Sequence, residues 1–304
     1  AHFGTGGVTL TDAGASVTTT GNIIFGENIN GALDLTLDSG AAGTIAVAGT
    51  TTVDNLVITN SNGAIFTGAV AATTDITLTD TEDGQTVSFL DTVTANDLVT
   101  TANAYLVSMT GTGNTFAANV DFLNTGAVTL GDATADTFDF NGGLDFTGNA
   151  ASNTASTIGV TGAANFGTGG VTLTDATLVT TTGNMDFGGN IAGGLDLTLN
   201  SGATGTIAVA GNTTVNDIEI VNSFGAIFTG TVGANDITLT DTEDGQTVSF
   251  LDAVTANDLV TTGANGYLVS MTGTGNTFTA GVDFLNTGAV TLGDATADTF
   301  DFNG

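Results

Sequence analysis

The sequence predicts an all-β chain wound as a single-stranded parallel β-helix, a β-solenoid. Three observations predict it: a long internal duplication, short runs that alternate apolar and polar residues, and phenylalanines that return about once every 23 positions. The duplication comes first, because a missed repeat misassigns the whole fold. Residues 21–142 open GNIIFGENINGALDLTLDSG and close TGAVTLGDATADTFDFNG. Residues 183–304 open GNMDFGGNIAGGLDLTLNSG and close on the same string. The offset is 162 residues, and FGTGGVTLTDA at Phe3–Ala13 recurs at Phe166–Ala176. The expectation is one continuous solenoid over 1–304, made of a 162-residue unit repeated nearly twice (1–163 and 164–304). No linker composition marks the junction near Gly162–Asn165, which argues against two separate sandwiches or barrels.

The elements follow in order. Leu33–Leu37 (LDLTL), Leu56–Thr59 (LVIT), Ile76–Thr79 (ITLT), Val87–Leu90 (VSFL), Tyr105–Met109 (YLVSM) and Val128–Leu130 (VTL) alternate with period two. That period marks half-buried strands. Gly, Asn, Asp and Thr separate them, residues suited to tight turns. No segment carries a 3.6-residue apolar stripe, so no helix is expected. Phe66, Phe89, Phe116, Phe140, Phe166 and Phe187 stand 23, 27, 24, 26 and 21 residues apart. Read as one aromatic per coil, this gives about 13 coils of ~23 residues, each with two or three strands. One such coil cannot bury its apolar side alone, whereas stacking does so and pairs the backbone above and below. At ~4.8 Å per stacked strand, the coils would make a rod roughly 60 Å long, with phenylalanines in an internal ladder.

Charge narrows the function. The chain has 31 Asp and Glu, one His, and neither Lys nor Arg, for a formal charge of −31. About a quarter of an ordinary chain is charged, with both signs present. Without Lys or Arg, no nucleic acid partner is expected, since phosphates need cationic side chains. Attachment to anionic lipid fails for the same reason. No apolar run reaches the ~18 residues of a membrane span. Divalent cations are the expected small partners. There is no Cys, which removes disulfides and thiolate metal sites. Trypsin has no cleavage site, a property suited to an exposed extracellular protein.

GALDLTLDSGAAGTIAVAG, NLVITNSNGAIFTG and DITLTDTEDGQTVSF resemble the Gly/Thr/Asn-rich coils of filamentous-haemagglutinin-type and autotransporter-passenger proteins. The resemblance runs the length of the chain and is one of repeat style. It implies a right-handed parallel β-helix, display on a bacterial surface, and a role in adhesion or surface fibres.

Catalysis is not expected. The acidic residues recur with the repeat, as at Asp80/Asp241, Asp136/Asp298 and Asp139/Asp301, which reads as turn chemistry rather than a carboxylate dyad. The single histidine, His2, sits at the N-terminus, a place that does not suit a Ser-His-Asp triad. No cofactor is required. Calcium is the candidate ligand, at two duplicated acidic clusters. One is DTED, with Asp80, Glu82 and Asp83 and its copy Asp241, Glu243 and Asp244. The other is GDATAD, with Asp132 and Asp136 and its copy Asp294 and Asp298. Carboxylates two to four residues apart at a turn can offer several oxygens to a hard cation, and solvated turn residues are the competing reading. The expected role is structural: an extracellular filament subunit that stacks head-to-tail on copies of itself. The alternative is a stalk segment of a large surface adhesin.

Overall fold

The computed structural model describes residues 1–303 apart from Ala13, Asn149 and Ala264. Every regular element among them is a strand, and the strand pairings are parallel. The chain is a β-solenoid of about 14 turns spaced by ~21 residues. It divides into two compact units, Ala1–Ser156 and Thr157–Gly304.

In the first unit each turn supplies three strands. The first column stacks Ile23–Phe25, Ile45–Val47, Ala64–Phe66, Thr86–Phe89, Leu106–Met109, Val128–Leu130 and Ser152–Thr154. A second column runs through Ile29–Asn30, Thr51–Val53, Val70–Ala72, Val93–Ala95, Asn114–Phe116 and Thr137–Phe140. The third holds Ala15–Thr18, Leu35–Asp38, Leu56–Asn60, Asp75–Leu78 and Asp97–Thr100. The second unit repeats this plan. Its first column runs from Ala164–Asn165 through Met185–Phe187, Ile207–Val209, Ala226–Phe228, Thr247–Phe250 and Leu268–Met271 to Val290–Leu292.

Period-two alternation does what the sequence demands. In Leu35–Asp38 the leucines are buried and Thr36 and Asp38 face outward. In Thr86–Phe89 the inner pair is Val87 and Phe89. Each strand thus lays one apolar row against the interior, and the turns above and below seal it. Burying a Phe or Leu side chain contributes about 1.5–3 kcal/mol, and this recurs two or more times per turn.

Most of the phenylalanines are buried, but they do not form one ladder. Phe66 stacks on Phe89 at 5.3 Å between ring centroids. The column then continues through Met109 and Leu130. Phe116 stands under Ala95 in the second column and stacks on Phe140 at 5.3 Å. Phe122 and Phe146 form a third stack at 5.0 Å. The 27-residue step from Phe89 to Phe116 therefore moves from one column to another and is not a long coil. The turns number about 14, spaced by ~21 residues, close to the 13 coils of ~23 residues expected from the sequence.

Corners carry buried polar residues. Ser61 Oγ and Thr81 Oγ1 lie 3.0 Å apart, and Ser223 and Thr242 repeat the pair at 3.0 Å. Ser39 Oγ donates to the Gly43 carbonyl at 2.8 Å. Hydroxyls small enough to turn back on the backbone satisfy groups that a corner removes from the strand ladder. Both tyrosines lie wholly inside. Tyr105 Oη donates to the Leu78 carbonyl at 3.0 Å and accepts the Thr101 amide at 3.0 Å. Tyr267 Oη donates to Leu239 O at 2.8 Å.

Candidate functional site

In the absence of basic side chains, function must reside in carboxylates, hydroxyls and exposed apolar residues. The sequence-derived acidic clusters sit as follows. In DTED the buried residue is Thr81, held to Ser61, so alternation turns Asp80 and Glu82 outward. Asp80 Oδ1 accepts from Asn103 Nδ2 at 3.3 Å, and Asp83 Oδ1 accepts the Ala104 amide at 3.2 Å. Glu82 is held through its backbone, its amide donating to Ser61 O at 2.9 Å. In the copy, Asp244 Oδ1 accepts the Gly266 amide at 2.6 Å, and the Glu243 amide donates to Ser223 O at 2.9 Å. Asp241 is half-buried, and its charge is one of the influences on Tyr267.

GDATAD is a closed loop. Asp136 Oδ2 accepts the amides of Asp132 and Ala133 at 2.9 and 3.1 Å, and Oδ1 accepts from Thr112 Oγ1 at 3.0 Å. Asp298 repeats this with Asp294, Ala295 and Thr274 at 2.7, 2.9 and 3.2 Å. The Ala295 and Asp294 amides hold the Asp298 carboxyl below the usual carboxylate range. Asp132 and Asp294 point to solvent. The buried aspartate caps its own loop, and its oxygens are already engaged by protein donors. Among the described residues, no group of three or more His, Cys, Asp or Glu is placed to hold a metal ion.

The structure brings together a different acidic array. Aspartates stack on aspartates along the third column of the first unit, Asp75 on Asp97, and in the second unit along Asp217–Asn222, Asp236–Leu239 and Val254–Thr261, Asp217 on Asp236 and Asp236 on Asp258. Like charges directly opposite each other destabilise a sheet. Asparagines from the following turn offset this. Asn55 Nδ2 donates to Asp34 Oδ1 at 2.6 Å, and Asn96 Nδ2 to Asp75 Oδ1 at 3.1 Å. In the second unit Asn216, Asn235 and Asn257 donate to Asp196, Asp217 and Asp236 at 2.6, 3.2 and 3.2 Å. The sequence signal was the recurrent Asn-Asp pair at 96–97, 216–217, 235–236 and 257–258, which spacing analysis of acidic residues alone passes over.

Asp97 receives no such donor. Asn119 on the next turn donates to Asp121 instead, and Asp97 Oδ1 is buried with no hydrogen-bond partner among the described residues. Burial, and then the charges of Asp75 and Asp121, push its carboxyl above the ordinary range, opposed by a backbone hydrogen bond from Leu98.

The first column has the opposite character. Its outward residues in the first unit are Ile24, Ala46, Ile65, Thr86, Ser88, Leu106, Ser108, Thr129 and Asn153, none of them charged. The acidic array and the neutral face are thus separate surfaces of one unit.

The last turn exposes a third surface. Leu292 and Phe302 are 44% and 47% exposed, whereas Leu130 and Phe140, at the same places in an identical string, are 0% and 1% exposed. The difference is cover: Ser152–Thr154 pairs with Val128–Leu130. Among the described residues no helix is long and apolar enough to cross a membrane. Compared with known proteins, the chain matches no family model, no curated protein and no solved structure.

Proposed function

We propose that this chain is a non-catalytic structural solenoid, a subunit of an extracellular filament that grows by head-to-tail stacking of turns. What supports the reading is that turns of near-identical sequence recur along the chain, TGAVTLGDATADTFDFNG closing both copies of the repeat, so that one turn is built to stack on another. An edge built from an internal-type turn presents strand hydrogen-bonding groups and an apolar row that a further turn would cover. A first turn of another copy supplies both, since Phe3–Ala13 has the same sequence as the internal Phe166–Ala176. A heterologous contact of this kind does not close on itself and propagates as a fibre. Lack of Lys and Arg, and hence of tryptic sites, suits a surface exposed to proteases. The haemagglutinin-type repeat style suits it too. Divalent cations would relieve repulsion between stacked carboxylates without any defined site.

The alternative is a stalk segment of a larger adhesin, in which the next turn of the same polypeptide covers Leu292 and Phe302. Two measurements decide between them. The native polypeptide has a mass near 29.8 kDa under the filament reading and a far larger one under the stalk reading. Negative-stain microscopy of the purified 304-residue chain should show fibres that Leu292→Asp with Phe302→Asp abolishes. Discrete particles at every concentration, or fibres in the double variant, would overturn the filament.

A further inference from the structure

An asparagine followed by glycine can close its side chain on the next backbone nitrogen, because glycine has no Cβ to shield that nitrogen. The chain has five such pairs: Asn30–Gly31, Asn62–Gly63, Asn141–Gly142, Asn265–Gly266 and Asn303–Gly304. The fold treats them differently. Ring closure is an intramolecular attack by the glycine nitrogen, and an amide committed to an acceptor is held out of line for it. The Gly31 amide donates to Thr52 O at 3.0 Å, and the Gly266 amide to Asp244 Oδ1 at 2.6 Å. Asn265 Nδ2 is engaged as well, donating to Thr240 O at 3.2 Å. Gly142 is wedged on the turn beneath, where an added Cβ would lie 2.3 Å from the Asn119 nitrogen, so the backbone beside Asn141 has no room to shift. Gly304 lies outside the described residues. Asn62–Gly63 is the pair left open. Among the described residues the Gly63 amide has no acceptor and the Asn62 side chain no hydrogen-bond partner. Both line an open groove with Ile65, Gln85 and Ser88, and no charged residue lines it. Gly63 has φ +100° and its counterpart Gly225 +111°, left-handed values that call for glycine. Asn62 is under no such demand. Phe224 replaces it in the second unit on an unchanged backbone, the Asn62 amide donating to Gly43 O and the Phe224 amide to Gly205 O, both at 2.7 Å.

We propose that Asn62 is a self-modification site, at which the folded chain converts asparagine to aspartate and isoaspartate without an enzyme. Hydroxide removes the Gly63 amide proton, and the nitrogen attacks Asn62 Cγ to form a new C–N bond. The bond from Cγ to Nδ2 breaks. Ammonia leaves with a proton from water, which restores the hydroxide, and a five-membered succinimide remains. Water then adds to either ring carbonyl. Breaking the Cγ–N bond leaves an ordinary aspartate. Breaking the bond at the backbone carbonyl leaves the chain running through Cγ, an isoaspartate. Water and hydroxide are the only co-reactants. Either product puts a carboxylate into a groove lined by none. Isoaspartate also adds a methylene to the backbone beside Gly63, whose carbonyl accepts the Ile45 amide at 3.0 Å. The rung that follows, Ala64–Phe66, is paired on both sides in fixed register, so the insertion strains the first unit. The second unit, with Phe224, is exempt.

The test incubates the folded chain at mildly alkaline pH, digests it with chymotrypsin or pepsin, and follows each Asn-Gly peptide by mass spectrometry. Electron-transfer fragmentation separates isoaspartate from aspartate. An isoaspartate carboxyl methyltransferase with labelled S-adenosylmethionine gives an independent count. Asn62 should convert at least about five-fold faster than Asn30 and Asn265, the factor that one net backbone hydrogen bond represents. In the urea-unfolded chain the rates at Asn30, Asn62, Asn141 and Asn265 should draw together, because the fold is what protects the other three. Phe224→Asn creates the pair in the second unit, where the Gly225 amide donates to Ser223 Oγ at 3.3 Å; it should convert more slowly than Asn62. Equal rates at Asn62, Asn30 and Asn265 in the folded chain overturn the proposal. So does an Asn62 that stays intact in the folded chain and converts only in urea.

Discussion

Replacing Tyr105 by Phe removes one oxygen from the interior and leaves the ring. That oxygen donates to the Leu78 carbonyl and accepts the Thr101 amide, each at 3.0 Å, in a residue with no exposed surface. Each hydrogen bond contributes about 1 kcal/mol net, and a buried group left without a partner costs about 1–3 kcal/mol. Thr101 Oγ1 stands 3.4 Å from the same carbonyl and recovers part of the loss. The expected cost is about 2 kcal/mol for the first unit. With a urea dependence of about 2 kcal/mol per molar, its midpoint should fall by about 1 M. The assay is built in: the chain has no Trp and two Tyr, one in each unit. Tyrosine fluorescence of Tyr105→Phe reports the second unit alone, and Tyr267→Phe reports the first. Far-ultraviolet circular dichroism follows both. The dichroism transition should gain an early phase in Tyr105→Phe, while Tyr267 fluorescence keeps the later midpoint. Burial also raises both phenols above their ordinary range. Their contribution to stability is therefore full below about pH 10 and is lost as pH rises through the folded pKa. A dichroism curve for Tyr105→Phe that overlays the parent would refute the reasoning, because the hydroxyl would then be doing nothing that water does not do in the unfolded chain.

Asp97 should respond oppositely to a usual aspartate. Its carboxyl is raised, so the folded chain gains stability as pH falls from neutrality through the folded pKa toward 3.8, and Asp97→Asn should raise Tm at pH 7 but not at pH 4. Asp298 is lowered, so its contribution is present above 3.8 and lost as pH falls through the folded value; Asp298→Asn should shrink the acid-induced loss of near-ultraviolet signal. Asp136→Ala removes the acceptor of two loop amides and the Thr112 hydroxyl and should cost about 2 kcal/mol in urea unfolding, against no change for the exposed Asp132→Ala. At Gly126 an added Cβ would overlap the Tyr105 carbonyl of the turn beneath; Gly126→Ala should therefore lower Tm far more than Gly4→Ala, where nothing lies within 4 Å.

Fold class was legible because strand alternation and stacking are the same fact seen in one dimension and then in three. LVIT at 56–59 and VTL at 128–130 were bound to be strands, since only period two puts their apolar members on one side. Which column a residue joins was not legible from its identity. Inner positions accept Phe, Met, Leu and Val alike, as Phe89, Met109 and Leu130 show on consecutive turns, so an aromatic count cannot separate Phe89 from Phe116. The acidic clusters were found, but their geometry was not. Whether Asp136 faces water or folds back over Asp132 and Ala133 depends on a loop conformation that composition leaves open. The Asp–Asn column escaped because its meaning lies in contacts 18–21 residues apart, visible only once turn length is fixed.

That column has a direction. In every pair the amide belongs to the later turn and the carboxylate to the earlier one. Each turn thus arrives carrying the neutralising group for its predecessor and leaves its own acid for its successor. Lengthening such a unit by duplication is harmless only when the inserted segment starts with a donor; otherwise an acid like Asp97 is stranded. Growth by whole repeats, as opposed to arbitrary pieces, is the arrangement that keeps this succession intact.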